Sequence, residues 1–423
     1  MKSIIFFISV FITSLMFSFT SYAQIGNDRD LQYYRFPDKR GLNTFETSKF
    51  NTIKFDGLKV MVGGAASLQF QGLNHSNDAN SLIDLGKNFN LATYNLTFNA
   101  QLANGVRMHL TSYLTSRHHT ESWIKSGYLQ IDKLDFIKKG FLKKLMKSVT
   151  IKIGHMETNY GDAHFRRSDN ASTLYNPFIG NLIMDGFTTE IGAEVYYKKN
   201  GIIAMAGFTN GKLNQDVKSP GKNSLSFVGK LGVDMELKND MRVRLTGSIY
   251  TTSKNASIHL YGGDRAGSRF YSVMQTTTSD VFTSGRWKPG FKDNITSIMI
   301  NPFVKIKGLE IFGVYETTKG GDFKGAAEDR TWKQISGDVV YRFGEDENLY
   351  FGISYNRVSG KLANSDPNDV SINRLQFGAG WFLTDNVLAK IIYINQNYND
   401  FGPTSVYSGG NFDGFMIETA IKF

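Results

Sequence analysis

Hydrophobic and polar side chains alternate along most of this chain, and the pattern is clearest at its end. The final residues divide by parity into an apolar set and a mixed set: Phe415, Ile417, Thr419, Ile421 and Phe423 against Met416, Glu418, Ala420 and Lys422. Successive side chains of a β-strand point to opposite faces, so this pattern predicts a strand with one apolar face. A strand with lipid on one side and water on the other is typical of a transmembrane β-barrel.

Sixteen segments carry this alternation in our interpretation of the sequence. Each is long enough to cross a bilayer at the tilt of barrel strands, for which about 9–11 residues suffice. We therefore predict an all-β fold, a transmembrane antiparallel β-barrel of about sixteen strands. The predicted strands are 58-70, 89-102, 105-117, 121-132, 149-157, 188-198, 201-211, 222-237, 241-254, 294-307, 309-319, 330-343, 348-360, 371-383, 387-399 and 412-423.

The connections between these segments alternate in length. Most turns on one side are tight: Ala103-Asn104, Lys199-Asn200, Lys238 to Asp240, Gly308, Gly344 to Glu347 and Thr384 to Asn386. Those on the other side are longer: 71-88, 158-187, 255-293 and 400-411, with shorter ones at 212-221, 320-329 and 361-370. Bacterial barrels have short periplasmic turns and long extracellular loops, so an even strand count places both termini in the periplasm.

The N-terminus has the pattern of a secretory signal peptide. Lys2 is the only charge before Asp28, an apolar run extends from Ile4 to Phe19, and Ser21-Tyr22-Ala23 forms a small-x-small cleavage site. We predict that residues 1-23 are removed near Ala23 during export to the bacterial outer membrane. Residues 24-57 would then form a periplasmic N-terminal leader, followed by the barrel at 58-423. For the leader we favour a loosely ordered chain over one that tucks into the lumen.

Composition and charge exclude several classes of protein. The chain has no Cys, which excludes a disulfide framework, a thiolate zinc site and a cysteine nucleophile. The net charge of +10 mildly favours anionic solutes, although contact with lipopolysaccharide would explain outer Lys and Arg residues equally well. No recognisable nucleic-acid-binding module is present, and no carboxylate or His spacing indicates a metal site. We expect no cofactor.

One connection on the short-turn side differs from the others. The segment from Lys133 to Ser148 reads KLDFIKKGFLKKLMKS, with apolar residues at three- and four-residue spacing and lysines in most of the remaining positions. This spacing predicts a short basic amphipathic helix. Such a helix suits anionic headgroups, a periplasmic partner or a solvated cap over the barrel mouth, and the sequence does not separate these.

Parity also predicts which charged residues line the barrel interior. Charged side chains within a membrane barrel are stable when they face water, so they indicate a wet lumen. The basic candidates are Arg107, Lys152, Lys230, Arg242, Arg244, Lys305, Arg342 and Arg374, and the acidic candidates are Glu190, Glu194, Asp234, Glu236, Glu310 and Asp338. The mixture of signs favours a polar pore.

The loop 158-187 is the strongest candidate for a functional element. It combines charged residues with Tyr, Phe, Leu and Ile, and a loop with this many apolar side chains should pack against something. In a sixteen-stranded barrel we expect it to fold inward against the wall and narrow the channel. We predict a pore constriction formed by Asp162, His164, Arg166, Arg167 and Asp169. The alternative is an outer loop that packs on its neighbours.

These features together resemble bacterial outer-membrane porins, and their order is similar to the phosphate-selective porin O/P group. Lys152-Ile153-Gly154-His155 before the long loop and Thr189 to Tyr197 after it resemble that group's approach to its constriction. The leader stretch Arg40-Gly41-Leu42-Asn43-Thr44-Phe45-Glu46 resembles porin-like outer-membrane proteins of Bacteroidota. The resemblance implies passive diffusion, often by a homotrimer. The basic ladder expected of a phosphate-selective member is not evident.

We therefore predict an outer-membrane porin, not an enzyme, which passes small hydrophilic solutes with a mild anion preference. The alternative is a structural barrel within a larger outer-membrane assembly, suggested by 133-148 and 24-57. A barrel enzyme would need a nucleophile beside a base, and His155 and Ser112 are the most suggestive residues without forming a motif. Energy-coupled import would need a large plug domain before the barrel, for which the leader is too short.

Overall fold

The structure is a computed structural model that describes residues 30–90, 93–115, 123–167, 173–211, 224–238, 240–255, 258–262, 269–278, 283–321, 329–364 and 366–423. At Thr115, Trp123, Arg167 and Asn255 only the backbone is described. The predicted signal peptide lies outside these ranges. Within them, no helix is long and apolar enough to cross a membrane.

The described residues form one antiparallel sheet. Its strands are β1 (Lys59–Ser76), β2 (Asn88–Phe89), β3 (Thr93–Ala103), β4 (Val106–Thr115), β5 (Trp123–Ile131), β6 (Val149–Glu157), β7 (Thr189–Lys199), β8 (Ile202–Thr209), β9 (Ser226–Glu236), β10 (Met241–Asn255), β11 (Lys292–Ile306), β12 (Leu309–Gly321), β13 (Arg330–Phe343), β14 (Leu349–Gly360), β15 (Val370–Thr384), β16 (Val387–Asn399) and β17 (Asn411–Lys422). Short helical turns cover Lys39–Gly41, Lys143–Met146, His164–Arg167 and Thr173–Tyr175.

The sheet closes on itself. From β3 to β17 each strand pairs with the next, and β1 pairs with both β3 and β17, so no long edge remains open. At the seam Gln69 lies opposite Glu418, and the backbones of Gly64 and Phe423 exchange two hydrogen bonds of 3.0 Å. Apart from the two-residue β2, the described part of the chain contains sixteen strands, which confirms the predicted antiparallel barrel.

Side-chain exposure follows the predicted alternation. In β17 the outward residues Phe415 and Ile417 are 58% and 49% exposed, whereas the inward residues Met416 and Glu418 are fully buried. The same alternation of buried and exposed positions extends through β13. The outward face is therefore apolar and the inward face carries the charge, as expected for a wall between lipid and a polar interior.

Tight turns join the strands at one end of the barrel, which we call the turn end, and the opposite end is the loop end. Large side chains form a ring on the outer wall at the turn end. We call this ring the turn-end belt. Aromatic residues of this kind mark the level of the headgroups in membrane barrels. Its members are Tyr197, Tyr341, Phe343, Phe351, Trp381 and Phe423, all exposed on the outer face.

Two sequence predictions need correction at the turn end. The helix predicted over 133-148 is confined to Lys143–Met146, because Gly140 and Leu142 adopt φ values of 77° and 48°, outside the right-handed helical range. Residues 30–57 of the leader are not loosely ordered, because Leu31 and Phe45 are each only 3% exposed and Phe45 packs against Phe303 of the inner wall. The leader's aromatic content explains the packing: rings need apolar neighbours to leave water. The assignment of 24-57 to the periplasm stays a prediction.

Candidate functional site

The described residues of the loop 158-187 lie inside the barrel and are bound to its wall. Gln334 of β13 donates to the Met184 carbonyl at 2.7 Å and accepts from the Met184 amide at 3.1 Å. Asn356 of β14 accepts from the Ile183 amide at 2.7 Å. Both side chains come from inward positions, so the wall completes the loop backbone's hydrogen bonds as another strand would. A buried loop needs such partners, because unpaired backbone groups are costly away from water.

A depression made by two glycines holds the tip of this loop. Gly352 of β14 and Gly378 of β15 lie opposite each other, and Phe178 occupies the space above them. A Cβ atom on either glycine would lie 3.1 or 3.0 Å from the Phe178 ring, which is closer than ordinary contact. The missing side chains therefore make the recess in which Phe178 becomes fully buried.

Lys390 fastens the same tip to β16. Its Nζ donates to the carbonyl oxygens of Thr173, Asn176 and Phe178 at 3.1–3.2 Å and forms an ion pair with Glu418. The lysine and glutamate side chains are both fully buried. A buried charge is tolerated only when it is paired and hydrogen-bonded, and these contacts meet that requirement.

A second buried group of charges holds the start of the loop. Asp162 accepts from Lys230 Nζ at 2.9 Å, from Arg244 Nε at 2.8 Å and from Thr246 Oγ1 at 2.7 Å. Arg244 Nη1 also donates to Asp234 at 3.0 Å. Because β9 and β10 project these groups inward from paired positions, the wall presents a preformed cationic socket for one loop carboxylate.

The leader inserts a second carboxylate into this socket. Glu46 accepts from Arg244 Nη2 at 3.2 Å and from Lys230 Nζ at 3.3 Å, while the Phe45 ring lies 4.2 Å from the Arg244 guanidinium. Asn43 bonds to Arg166 of the loop and to Glu310 of β12. The leader therefore bridges the loop and the wall.

These contacts lower the pKa values of two carboxyls that lie outside the strands. Burial alone would raise the pKa of Glu46, but Lys230 and Arg244 outweigh it and hold this pKa well below its usual value. Burial likewise opposes the charged form of Asp162, yet the same two cations lower its pKa. Both groups stay ionised near neutral pH and keep leader and loop attached to the socket.

We predict that acid weakens this attachment. Because both folded-state pKa values lie below those of the unfolded chain, the stabilisation is fully present above about pH 4.5 and is lost as the pH falls through the lowered values. In single-channel recordings taken from about pH 7 down to about pH 2, the current should become progressively less steady below about pH 4.5. Asp162→Asn, which has no carboxyl to titrate, should give the unstable recording already at neutral pH. Recordings that are steady at both extremes would contradict the prediction.

The described residues of a second long loop, 255-293, also pack inside the barrel, which the sequence analysis did not predict. Tyr261 from this loop and Tyr160 from loop 158-187 both donate to Glu316 of β12, at 2.6 and 2.8 Å. Trp287 donates its backbone N–H to the Ile183 carbonyl at 2.7 Å. The two loops therefore share one buried apolar cluster with the inner wall at the loop end.

The described structure leaves a cavity of about 210 Å³ beside these loops. It is bounded by the leader, loop 158-187 and strands β3 to β7, and most of the residues that line it are of polar types. The charged or titratable side chains around it are Arg35, Glu46, His109, Lys125, Lys152, Glu157 and His164. Lys152 Nζ lies 5.4 Å from the Tyr128 ring and 5.0 Å from the Tyr196 ring. A wider cavity of about 630 Å³ opens at the turn end beside Glu236, Arg242 and Lys305.

The predicted constriction residues occupy different surroundings. Asp162 and Arg166 are buried in the ion pairs described above, and Arg166 Nη2 lies 3.6 Å from Glu310. His164 borders the cavity, with Nδ1 3.0 Å from Glu157. Only the backbone of Arg167 is described, and Asp169 lies outside the described residues. Arg166 is therefore paired with Glu310 in the interior and does not border the cavity.

Apart from Lys152, which borders the cavity, the predicted lumen residues divide into three groups. Lys230, Arg242, Arg244 and Asp234 meet in the socket, and Glu310 joins Arg342 at 2.8 Å and Lys305 at 3.8 Å. A second group is buried singly with neutral partners or backbone carbonyls: Arg107 with Asn99 and Gln130, Glu190 with Tyr250, Glu194 with Asn159 and Tyr196, Asp338 with Ser354, and Arg374 with Gly285 and Gln396. Glu236 is exposed at the turn-end mouth. Their part in solute passage stays a prediction.

Sequence reasoning missed the leader as part of this site. Tyr33, Tyr34, Phe36 and Phe45 make the leader as aromatic as loop 158-187, and the argument that placed that loop inside applies to both. His155, considered earlier as a catalytic base, lies 2.9 Å from Thr189 Oγ1. Among the described residues, no group of three or more His, Asp or Glu is arranged to hold a metal ion.

Comparisons with known proteins place the fold among outer-membrane barrels. No protein-family model and no curated protein matches the chain. The anion-selective porin from Comamonas acidovorans has a TM-score of 0.54 at 10% identity, over 86% of this chain and 100% of that one. Salmonella typhi OmpF gives 0.52 at 14%, over 88% and 99%. OmpT, an outer membrane protein of Vibrio cholerae, gives 0.52 at 13%, over 88% and 99%. At these identities the likeness shows the fold alone.

Proposed function

We propose that this protein is an outer-membrane porin that passes small hydrophilic solutes by diffusion, with a mild preference for anions. The observation that carries the proposal is the polar cavity beside the inward loop, which leaves room for water between the loop and strands β3 to β7. A barrel of about sixteen strands is wide enough to enclose such a channel. The inward loops and the leader restrict this channel to one side of the lumen.

The charges around the cavity support the anion preference. Arg35, Lys125 and Lys152 border it, while its acids Glu46 and Glu157 lie close to cationic or titratable partners. Charge at a narrow point of a channel has most effect on selectivity, since little water screens it there. The barrel likeness to an anion-selective porin and to the outer membrane channel DcaP agrees with this proposal.

Conductance of the purified protein in planar bilayers tests the proposal. We expect discrete open levels in simple salts. A barrel that stays silent in every salt would instead favour the structural role in a larger assembly. We further propose a homotrimer in contact with lipopolysaccharide, and one structure of Vibrio cholerae OmpT is described as a trimer form. Its test is the mass of the protein in gentle detergent, and a purely monomeric species would overturn it.

Lys152→Glu should shift selectivity towards cations. A unit charge a few ångströms from a passing ion is worth about 1 kcal/mol in a well-hydrated site, so the two-unit change from Lys to Glu is worth about 2 kcal/mol, which corresponds to a roughly 30-fold change in permeability ratio. Reversal potentials in asymmetric salt measure this ratio. Lys333→Glu makes the same charge change on the exposed outer face of β13 and should leave the ratio unchanged. Equal shifts in both variants would mean that the cavity is not on the conduction path.

A further inference from the structure

The segment 133–148, which we call the basic segment, exposes an apolar surface at the turn end. It connects β5 to β6, and its outer side chains include Phe136, Ile137 and Leu145, which are 57%, 59% and 51% exposed. Phe141 and Leu142 are also exposed. Neighbouring large apolar residues are seldom left in contact with water, so this surface indicates a binding partner.

The basic segment is held in place by the barrel rim. Met146 is buried, and Asn104 on the neighbouring turn donates to Asp135 and accepts from Lys133, both at 2.9 Å. Asp135 also accepts from the Gly140 amide at 2.9 Å. The exposed rings therefore have a fixed direction, outward from the rim.

Lysines surround the exposed apolar residues. Within the described residues, none of the five lysines between Lys138 and Lys147 forms an ion pair or a side-chain hydrogen bond. Both acids of this region, Asp132 and Asp135, are already bonded to other groups. The segment therefore carries uncompensated positive charge, as Lys138, Lys139, Lys143, Lys144 and Lys147.

The position of the basic segment matches the membrane surface. It ends where β6 begins, at Val149, and Val149 lies opposite Tyr197 of the turn-end belt. Ile131 at the end of β5 lies opposite Ile151. The apolar surface of the segment is thus continuous with the lipid-facing wall, at the level where that wall meets the headgroups.

We propose that the basic segment binds anionic phospholipid in the leaflet at the turn end. Its apolar side chains would enter the boundary between headgroups and acyl chains, which interfacial segments reach at a depth of about 5–10 Å. Its lysines bind the lipid phosphates, because basic residues beside a membrane attract anionic headgroups. Continuity with the lipid-facing wall favours lipid over a protein partner.

Site-specific labelling tests this proposal on the intact protein in lipid nanodiscs. The chain has no Cys, so Phe141→Cys offers a unique site for an environment-sensitive dye. We expect blue-shifted emission and quenching by spin-labelled phospholipid. Glu345→Cys, on another exposed turn at the same end, should remain in water and unquenched. Equal, water-like signals at both sites would overturn the proposal, as would a shift at Phe141→Cys that needs added periplasmic proteins.

A second measurement tests the charge. We expect the wild type to retain phosphatidylglycerol over phosphatidylcholine in native mass spectrometry. The variant with all five lysines replaced by Gln should lose most of that preference. A control variant that replaces exposed lysines at the loop end, Lys254→Gln with Lys333→Gln, should keep it. Unchanged lipid preference in a correctly folded five-lysine variant would overturn the electrostatic part of the proposal.

Discussion

Deleting residues 30–49 of the leader should increase single-channel conductance about twofold or more, because a barrel of this size is wide once its interior is cleared. Phe45 and Glu46 occupy lumen space beside Arg244, and removing them widens the passage. The barrel should still fold, because Lys230 and Arg244 retain Asp162 as a partner. Conductance in planar bilayers measures the effect.

Arg40→Ala is the matched control for the leader deletion. Arg40 belongs to the same segment, but its side chain is 53% exposed and its ion pair is with Asp38, two residues away. We expect its conductance to equal that of the wild type. If the deletion leaves conductance unchanged while the barrel is intact, the leader does not obstruct the conducting path.

Lys390→Met should destabilise the barrel by roughly 3–5 kcal/mol, the usual consequence of leaving one charge of a buried pair without its partner. Glu418 would keep only its bond from Gln69, at 2.8 Å, and three loop carbonyls would lose the lysine donor, although the Thr173 carbonyl keeps the Asn176 amide. Loss of this contact also frees the loop tip. The free energy of unfolding in urea measures the first effect, and conductance fluctuations measure the second.

The double variant Lys390→Met/Glu418→Gln separates charge from packing. With both charges removed, most of the lost stability should return, because no buried carboxylate is left unpaired. Lys333→Met, at an exposed position, should change stability by no more than about 0.5 kcal/mol. If the double variant is as unstable as the single one, the contribution of Lys390 comes from the loop carbonyls and not from Glu418.

The strands were predictable because their signal is local. Alternation with a period of two needs only neighbouring residues, and 330-343 and 387-399 match the observed strands at both ends. The first strand was predicted too short, since it continues to Ser76. There the inward side chains pack against other loops, so the change in sequence pattern after Phe70 did not mark the end of the strand.

The interior of the barrel was predictable only in part. The aromatic content of loop 158-187 indicated burial, and its contacts with the wall agree with an inward position. The partners of its charged residues depend on segments far apart in sequence, such as Asn43 and Glu310, 267 residues apart. No periodicity encodes such pairs. The sequence therefore did not indicate that Arg166, assigned to the pore constriction, lies beside Glu310.

The seam between β1 and β17 has a consequence for biogenesis. Gln69 and Glu418, which are bonded there, are 349 residues apart in the chain, so the first strand cannot pair with the last one until nearly all of the chain between them is present. Contacts of such long sequence separation form slowly. During this delay the first and last strands expose unpaired backbone groups, and such open edges promote aggregation. The newly made polypeptide is thus most prone to aggregation just before the barrel closes.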